Sequence, residues 1–150
     1  MKKILFPLFV SFLLLAGGLA AHAQTERYNI TESGWGRTET GYTKVAITPY
    51  EAAISELDIH RWRKTKGEIV VNFDERELTV RLPRKEINYV LLTESYTHRI
   101  RGGWDYVDYL ALENGTTLCR VWICTHESGA KQVCVLFNNF VQGYRIEAAE

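Results

Sequence analysis

The stretch TTLCRVWICTHESGAKQVCVLF, residues 116–137, carries the clearest strand signal in the chain and all 3 of its cysteines. Apolar residues alternate with polar ones in both halves, and the polar run HESGAK separates them. This pattern is typical of two antiparallel strands joined by a turn. We therefore expect a central β-hairpin, with the segments on either side as its sheet neighbours.

The cysteines of this hairpin suggest one crosslink. Cys119 and Cys124 are an odd number of residues apart on one strand, so their side chains point to opposite faces of the sheet. Cys124 and Cys134 lie on different arms, and a register that sets them directly opposite would permit a disulfide. Closing a loop of about ten residues would stabilise the fold by roughly 3 kcal/mol. We expect this bridge, with Cys119 as a buried thiol on the apolar side.

The strand before the hairpin spans residues 104–112 and ends at the Asn114-Gly115 turn. A two-residue turn would face Asp108 towards the core, whereas one extra loop residue keeps that carboxylate outside. We therefore expect a bulged turn. Its register pairs three apolar residues with three of the hairpin: Val107 with Ile123, Tyr109 with Val121, and Ala111 with Cys119.

Further upstream, alternating segments predict strands over residues 69–73, 78–82 and 87–93. A four-residue turn between the first two places six apolar residues on one face: Phe73 opposite Leu78, Val71 opposite Val80, and Ile69 opposite Leu82. Residues 94–103 are polar, and we expect a long exposed loop there. Residues 140–147 close the sheet, with Tyr144 and Ile146 facing inward.

The chain before residue 60 is less regular. Residues 24–41 are rich in Gly, Thr, Glu and Ser and predict a loosely ordered arm that could include one edge strand. Residues 42–48 alternate as a strand. Thr48-Pro49-Tyr50-Glu51 has the form of a capping box. Apolar residues follow at helical spacing on one face: Tyr50, Ala53, Ile54 and Leu57. A short helix is expected near residues 49–58, although residues 57–61 also fit the start of a strand.

Together these elements predict a mainly β fold in which a small antiparallel meander closes into a barrel or a sandwich. The single domain spans residues 24–150. The chain resembles a group of small exported β-proteins from Gram-negative gut bacteria. The segments that carry the resemblance are VVNFDERELTV, INYVLL, ALENGTTLCRV and VCVLFNNFVQGYRI, with Tyr89, Cys119, Asn138 and Tyr144 as the distinctive matches. The resemblance implies a shared fold, with a strand where the pattern here favours the helix, and it assigns no activity or site.

Residues 1–23 have the pattern of a signal peptide. Lys2 and Lys3 precede an apolar run, and Ala21-His22-Ala23 supplies a small-x-small cleavage site. The apolar run is shorter than the roughly 20 residues that a spanning helix needs. We expect cleavage before Gln24, no membrane span in the mature chain, and a periplasmic or secreted location.

Several chemistries lack their sequence patterns. The chain has 18 basic and 18 acidic residues, and loss of Lys2 and Lys3 leaves a net charge of −2. This balance disfavours nucleic acid as a partner. No nucleotide or nucleophile-elbow motif occurs, and the histidines lack metal-ligand spacing, so we expect neither a cofactor nor a metal. Cys124 and His126 share a strand face, which keeps a hydrolase with dispersed residues as the least favoured alternative.

The segment HRWRKTK, residues 60–66, is the one basic cluster in the sequence. We interpret it as a solvated approach to the strand that begins at Glu68, with Trp62 packed into the core and cations that repel pairing at a sheet edge. Contact with a polyanion is the alternative.

Aromatic residues suggest the remaining function. The chain holds 4 tryptophans and 8 tyrosines. We expect a non-enzymatic binding or interaction domain that uses an aromatic face or a barrel mouth. Its partner would be a protein, a glycan or a small apolar ligand. The candidate contact residues are Trp62, Trp104, Trp122 and Tyr106. A structural accessory protein of the envelope is the alternative.

Overall fold

The computed structural model describes residues 25–36, 59–93, 96–100, 103–138 and 140–150, and every regular element in these ranges is a β-strand. The strands are β1 (Thr25–Gly36), β2 (His60–Asn72), β3 (Glu77–Leu82), β4 (Lys85–Leu91), β5 (Tyr96–Ile100), β6 (Trp104–Glu113), β7 (Thr117–His126), β8 (Lys131–Leu136) and β9 (Val141–Ala148). These ranges contain no helix that is both long and apolar enough to cross a membrane.

The strands form one antiparallel sheet that closes on itself. Its order is β4-β3-β2-β1-β9-β8-β7-β6, and β4 pairs again with β6, so that eight strands make a ring. β5 lies outside this ring and pairs with the first half of β6. The predicted mainly β architecture, closing into a barrel or sandwich, is confirmed.

Alternate residues of the ring strands point inward and build the interior core. Each member is at most 9% exposed. The members are Tyr28, Ile30, Ile69, Val71, Leu78, Val80, Ile87, Tyr89, Leu91, Tyr109, Ala111, Cys119, Val121, Val133, Val135, Tyr144 and Ile146. Since burying one large aliphatic side chain is worth about 1.5–3 kcal/mol, this interior is the main source of stability.

The bulged register predicted for β6 and β7 is confirmed. The ladder pairs Val107 with Ile123, Tyr109 with Val121, and Ala111 with Cys119. The turn places Asn114 at φ 49° and Gly115 at φ 75°, conformations that Asn and Gly adopt more readily than other residues. The position of Asp108 follows from this register, on the outer face of the barrel.

The predicted register of β2 and β3 was wrong by two residues. Val71 lies opposite Leu78 and Ile69 opposite Val80, because the turn begins at Phe73 and not after it. A shift of two residues keeps every side chain on its face. The prediction that these apolar residues share the core face therefore holds despite the slip.

Two segments predicted as irregular are strands. The loosely ordered arm predicted over residues 24–41 is wrong for Thr25–Gly36, because β1 pairs with β2 on one side and β9 on the other. The exposed loop predicted over residues 94–103 is wrong for Tyr96–Ile100, which pairs with β6 as β5. Both segments form strands because neighbouring strands pair with them, and neither has a strong alternation of apolar residues that would predict a strand.

Three other predictions lie outside the described residues. They are the signal peptide over residues 1–23, the strand over residues 42–48 and the helix near residues 49–58.

Candidate binding surface at one end of the barrel

The outer face of β6 to β9 carries a second apolar group, the outer cluster. Its members are buried and point away from the barrel interior: Tyr106, Trp122, Cys124, Cys134, Leu136 and Val141. Ile59 and Trp104 pack against them. β7 and β8 therefore bury side chains on both faces, which is unusual for barrel strands that meet water on the outside.

Three of the four aromatic residues predicted as ligand contacts belong to this region. Tyr106 and Trp122 are each 1% exposed, and their ring centroids lie 4.6 Å apart. Trp104 is half-buried, with its ring centroid 5.0 Å from that of His126. The structure thus brings these three residues together, but it uses Tyr106 and Trp122 for packing, where a ligand at the surface does not reach them.

The fourth predicted contact, Trp62, covers a gap made by two glycines. A Cβ atom on Gly34 would lie 2.9 Å from Cδ2 of Trp62, and one on Gly143 would lie 2.9 Å from Cη2 of the same ring. The absence of side chains at these positions lets the indole lie directly on β1 and β9. The guanidinium of Arg145 stacks over it, with Cζ 4.1 Å from the ring centroid, and also pairs with Glu32.

A buried ionic network accompanies the outer cluster. Asp108 accepts hydrogen bonds from the Arg120 guanidinium and from Nε1 of Trp122, the latter at 2.9 Å. The side chains of Arg120 and Asp108 are only 6% and 4% exposed. Burying two charges costs more than their attraction returns unless hydrogen bonds satisfy them. The indole N–H of Trp122 therefore helps to satisfy the buried carboxylate of Asp108, and the same hydrogen bond holds Trp122 in place.

The cysteines are placed differently from the prediction. Cys119 is a buried interior thiol, as expected. Cys124 lies opposite Gln132, and Cys134 lies opposite Trp122, so the predicted directly opposed pair is wrong by two residues. The two thiols are diagonal neighbours on the outer face. The structure has no disulfide between Cys124 and Cys134, and all three cysteines are free.

This register predicts the number of free thiols. Protein spanning residues 24–150, denatured without reductant, should titrate with Ellman's reagent as three thiols per chain. The folded protein should react slowly because all three are buried. A reduced and denatured sample supplies the reference value of three. A count of one would show that Cys124 and Cys134 become oxidised in spite of their diagonal placement.

The surroundings of Cys124 favour a neutral thiol over an activated nucleophile. A hydrogen bond with Cys134, together with burial, raises the pKa of the Cys124 thiol well above its ordinary range. A nucleophilic cysteine needs the opposite shift. Nδ1 of His126 lies 2.7 Å from Oγ of Ser128. In the part of the chain that is described, no three His, Cys, Asp or Glu side chains group as a metal site.

An aromatic group that the prediction missed lies at one end of the barrel. We call Trp35, Phe137 and Phe140 the mouth cluster. The ring centroids of Trp35 and Phe140 are 6.3 Å apart, and those of Phe137 and Phe140 are 6.0 Å apart. Phe137 also packs against the interior core. Trp35 is 38% exposed, so the group joins the interior to the surface.

Arg61 completes this end of the barrel. Its Cζ atom lies 5.1 Å from the ring centroid of Trp35, within the range of a cation–π contact. Arg61 has φ 57°, at a point where two β2 residues oppose one of β1. Such bulges redirect side chains, and here the bulge brings a cation to an exposed indole.

Known proteins give no independent guide to this surface. The chain matches no protein-family model, no curated protein and no solved structure.

Proposed function

We propose that this chain is an exported, non-enzymatic binding domain that contacts its ligand through the mouth cluster. Export to the periplasm or beyond is inferred from residues 1–23. The observation that carries the proposal is the exposure of Trp35 beside Phe137 and Phe140, under the guanidinium of Arg61.

The barrel interior supports a surface site more than an enclosed one. An eight-stranded barrel is wide enough for its side chains to fill or to hold one small ligand. The interior side chains here are 0–9% exposed, which favours a filled interior. A ligand therefore meets the barrel at its rim. Among the rim residues described, Trp35 is the large aromatic side chain with the most accessible surface.

The chemistry of the mouth cluster favours a flat ligand. Aromatic faces bind sugar rings and other planar apolar groups, and Tyr and Trp supply large contact area at low conformational cost. The adjacent guanidinium adds attraction for a carboxylate or sulfate group. We therefore expect a ligand that combines an apolar or sugar face with a negative charge.

The test uses 1-anilinonaphthalene-8-sulfonate, which has an aromatic face and one sulfonate. Wild-type mature protein should bind it saturably, with a rise in its fluorescence. Trp35→Ala should weaken binding about tenfold, because truncating an aromatic anchor removes on the order of 1–2 kcal/mol. Displacement by a panel of acidic oligosaccharides and aromatic acids then identifies the preferred class.

Leu118→Ala is the matched control, because Leu118 is 43% exposed and lies on β7, outside the mouth cluster. It should bind the probe like wild type. Equal binding by Trp35→Ala and wild type would contradict the assignment of this surface. Probe binding that no member of the panel displaces would favour a structural accessory role.

A further inference from the structure

One stretch of β2 is paired on a single side. β1 lies along residues 60–67, whereas β3 pairs with β2 only from Glu68 to Asn72. In the described ranges, no strand extends the sheet beyond residues 61–66. Two bulges against β1, at Arg61–Trp62 and at Thr65–Lys66, interrupt this edge. The backbone groups between and beside them that face away from β1 can pair with an extended segment.

This open edge is strongly basic. Four of its six residues carry a positive charge, and all four are exposed: Arg61, Arg63, Lys64 and Lys66. None of them forms an ion pair with a carboxylate in the described part of the chain. Exposed arginines on neighbouring strands do form such pairs: Arg27 with Glu68, Arg81 with Glu68 and Glu86, and Arg145 with Glu32.

The charge of this edge contrasts with the rest of the chain. Residues 24–150 carry a net charge of −2, so the four cations make a local positive field on a slightly acidic protein. Charges within a Debye length of about 8 Å act together on a partner at physiological salt. An acidic segment would be attracted to the edge, whereas a second copy of the same edge would be repelled.

We propose that residues 61–66 of β2 bind an extended acidic peptide segment of a partner protein, which adds to the sheet as a strand. Backbone hydrogen bonds along the edge would supply affinity, and the four cations would select carboxylates. The proposal rests on the proposed binding function and assigns a class of partner beside the mouth cluster. A polyanionic glycan shares the charge but has no peptide backbone to pair with the edge.

The test is fluorescence anisotropy with a labelled ten-residue peptide of alternating Glu and Thr. Two comparison peptides separate the two kinds of recognition. One carries Gln in place of every Glu, and the other is methylated on alternate backbone nitrogens. Both should bind at least about tenfold more weakly than the parent peptide, because the first lacks the charges and the second cannot complete the backbone pairing.

The variant Lys64→Ser/Lys66→Ser should weaken binding of the parent peptide about tenfold, as exposed charges are each worth a few-fold. Arg84→Ser/Lys85→Ser is the matched control, since it removes two exposed cations at the turn between β3 and β4 and should leave binding unchanged. Thermal unfolding of both variants should match wild type. Trp35→Ala should lose the naphthalene sulfonate but keep the peptide, so the two proposals fail separately.

Four outcomes would overturn the proposal. The first is that wild type does not bind the parent peptide. The second is that the methylated peptide binds as tightly as the parent and a heparin hexasaccharide competes, which would show a polyanion surface without strand pairing. The third is slow hydrogen exchange of the residue 63–66 amides in the free protein, which would show that another segment of the chain occupies the edge. The fourth is that the Lys64→Ser/Lys66→Ser variant self-associates in light scattering yet keeps its affinity for the peptide. This would show that the lysines only prevent pairing between copies of the protein.

Discussion

Asp108→Ala is expected to lower the free energy of unfolding by about 3–5 kcal/mol, the usual cost of removing one member of a buried ion pair. The substitution leaves the buried Arg120 guanidinium without this carboxylate and removes the acceptor for Nε1 of Trp122. Urea unfolding followed by tryptophan fluorescence measures the loss. The slope of the transition should stay constant, because the same surface is exposed on unfolding.

Two matched variants separate charge from shape. Asp108→Asn keeps an oxygen that accepts from Trp122 and should cost less than the alanine variant. The double variant Asp108→Leu/Arg120→Met removes both charges and should recover most of the lost stability, as replacements of buried ion pairs by apolar residues often do. A double variant as unstable as Asp108→Ala would show that the pair does more than satisfy its own charges.

Leu78→Ala is expected to cost about 2–4 kcal/mol, because it opens a cavity in the interior core. Leu78 is fully buried and lies opposite Val71 and beside Tyr89 in the ladder. Chemical denaturation of the variant checks the value.

Thr79→Ala, one residue further along β3, is the control. Its side chain points outward and accepts a hydrogen bond from Asn88 at 3.3 Å. Its loss should cost less than about 1 kcal/mol. Equal losses at the two positions would mean that β3, like β7 and β8, is packed on both faces.

The sequence predicts the interior of this barrel well. β3, β4, β6, β7 and β9 each carry apolar residues at alternate positions, and this period settles which residues face inward even where the register slips. The β2–β3 hairpin shows the limit, because shifts of two residues preserve the pattern and only the turn chooses between them. The predicted register of β7 and β8 was off by two residues for the same reason. Cys134 lies opposite Trp122 and not opposite Cys124.

β1 and β5 could not be recognised locally. β1 contributes only Tyr28 and Ile30 to the interior core, and its glycines read as loop residues although Gly34 lets Trp62 approach. β5 is a short polar strand, and its pairing with β6 comes from tertiary structure. Tertiary context commonly overrides local strand preference in this way.

The proposed surface uses aromatic residues other than those predicted from the sequence. The aromatic content indicated a binding face, and the sequence pointed to Trp62, Trp104, Trp122 and Tyr106. Trp122 and Tyr106 are buried because the outer face of β6 to β9 is itself apolar. Alternation of apolar and polar residues identifies one buried face of a strand and does not reveal a second one. The sequence did offer a sign that Trp35 is a surface residue. It lies between glycines in a polar segment, without the neighbouring apolar residues that a core tryptophan usually has.

The ladder between β1 and β9 also determines how the barrel can be held. Tyr28 lies opposite Ala148, and the amide of Ala149 donates to the carbonyl of Arg27 at 3.1 Å. Both chain ends of the barrel therefore leave it at the same end. Trp35 lies seven residues further along β1, about 23 Å away at the usual strand rise. A tether attached before β1 or after β9 would thus leave the mouth cluster and residues 61–66 of β2 pointing away from the point of attachment.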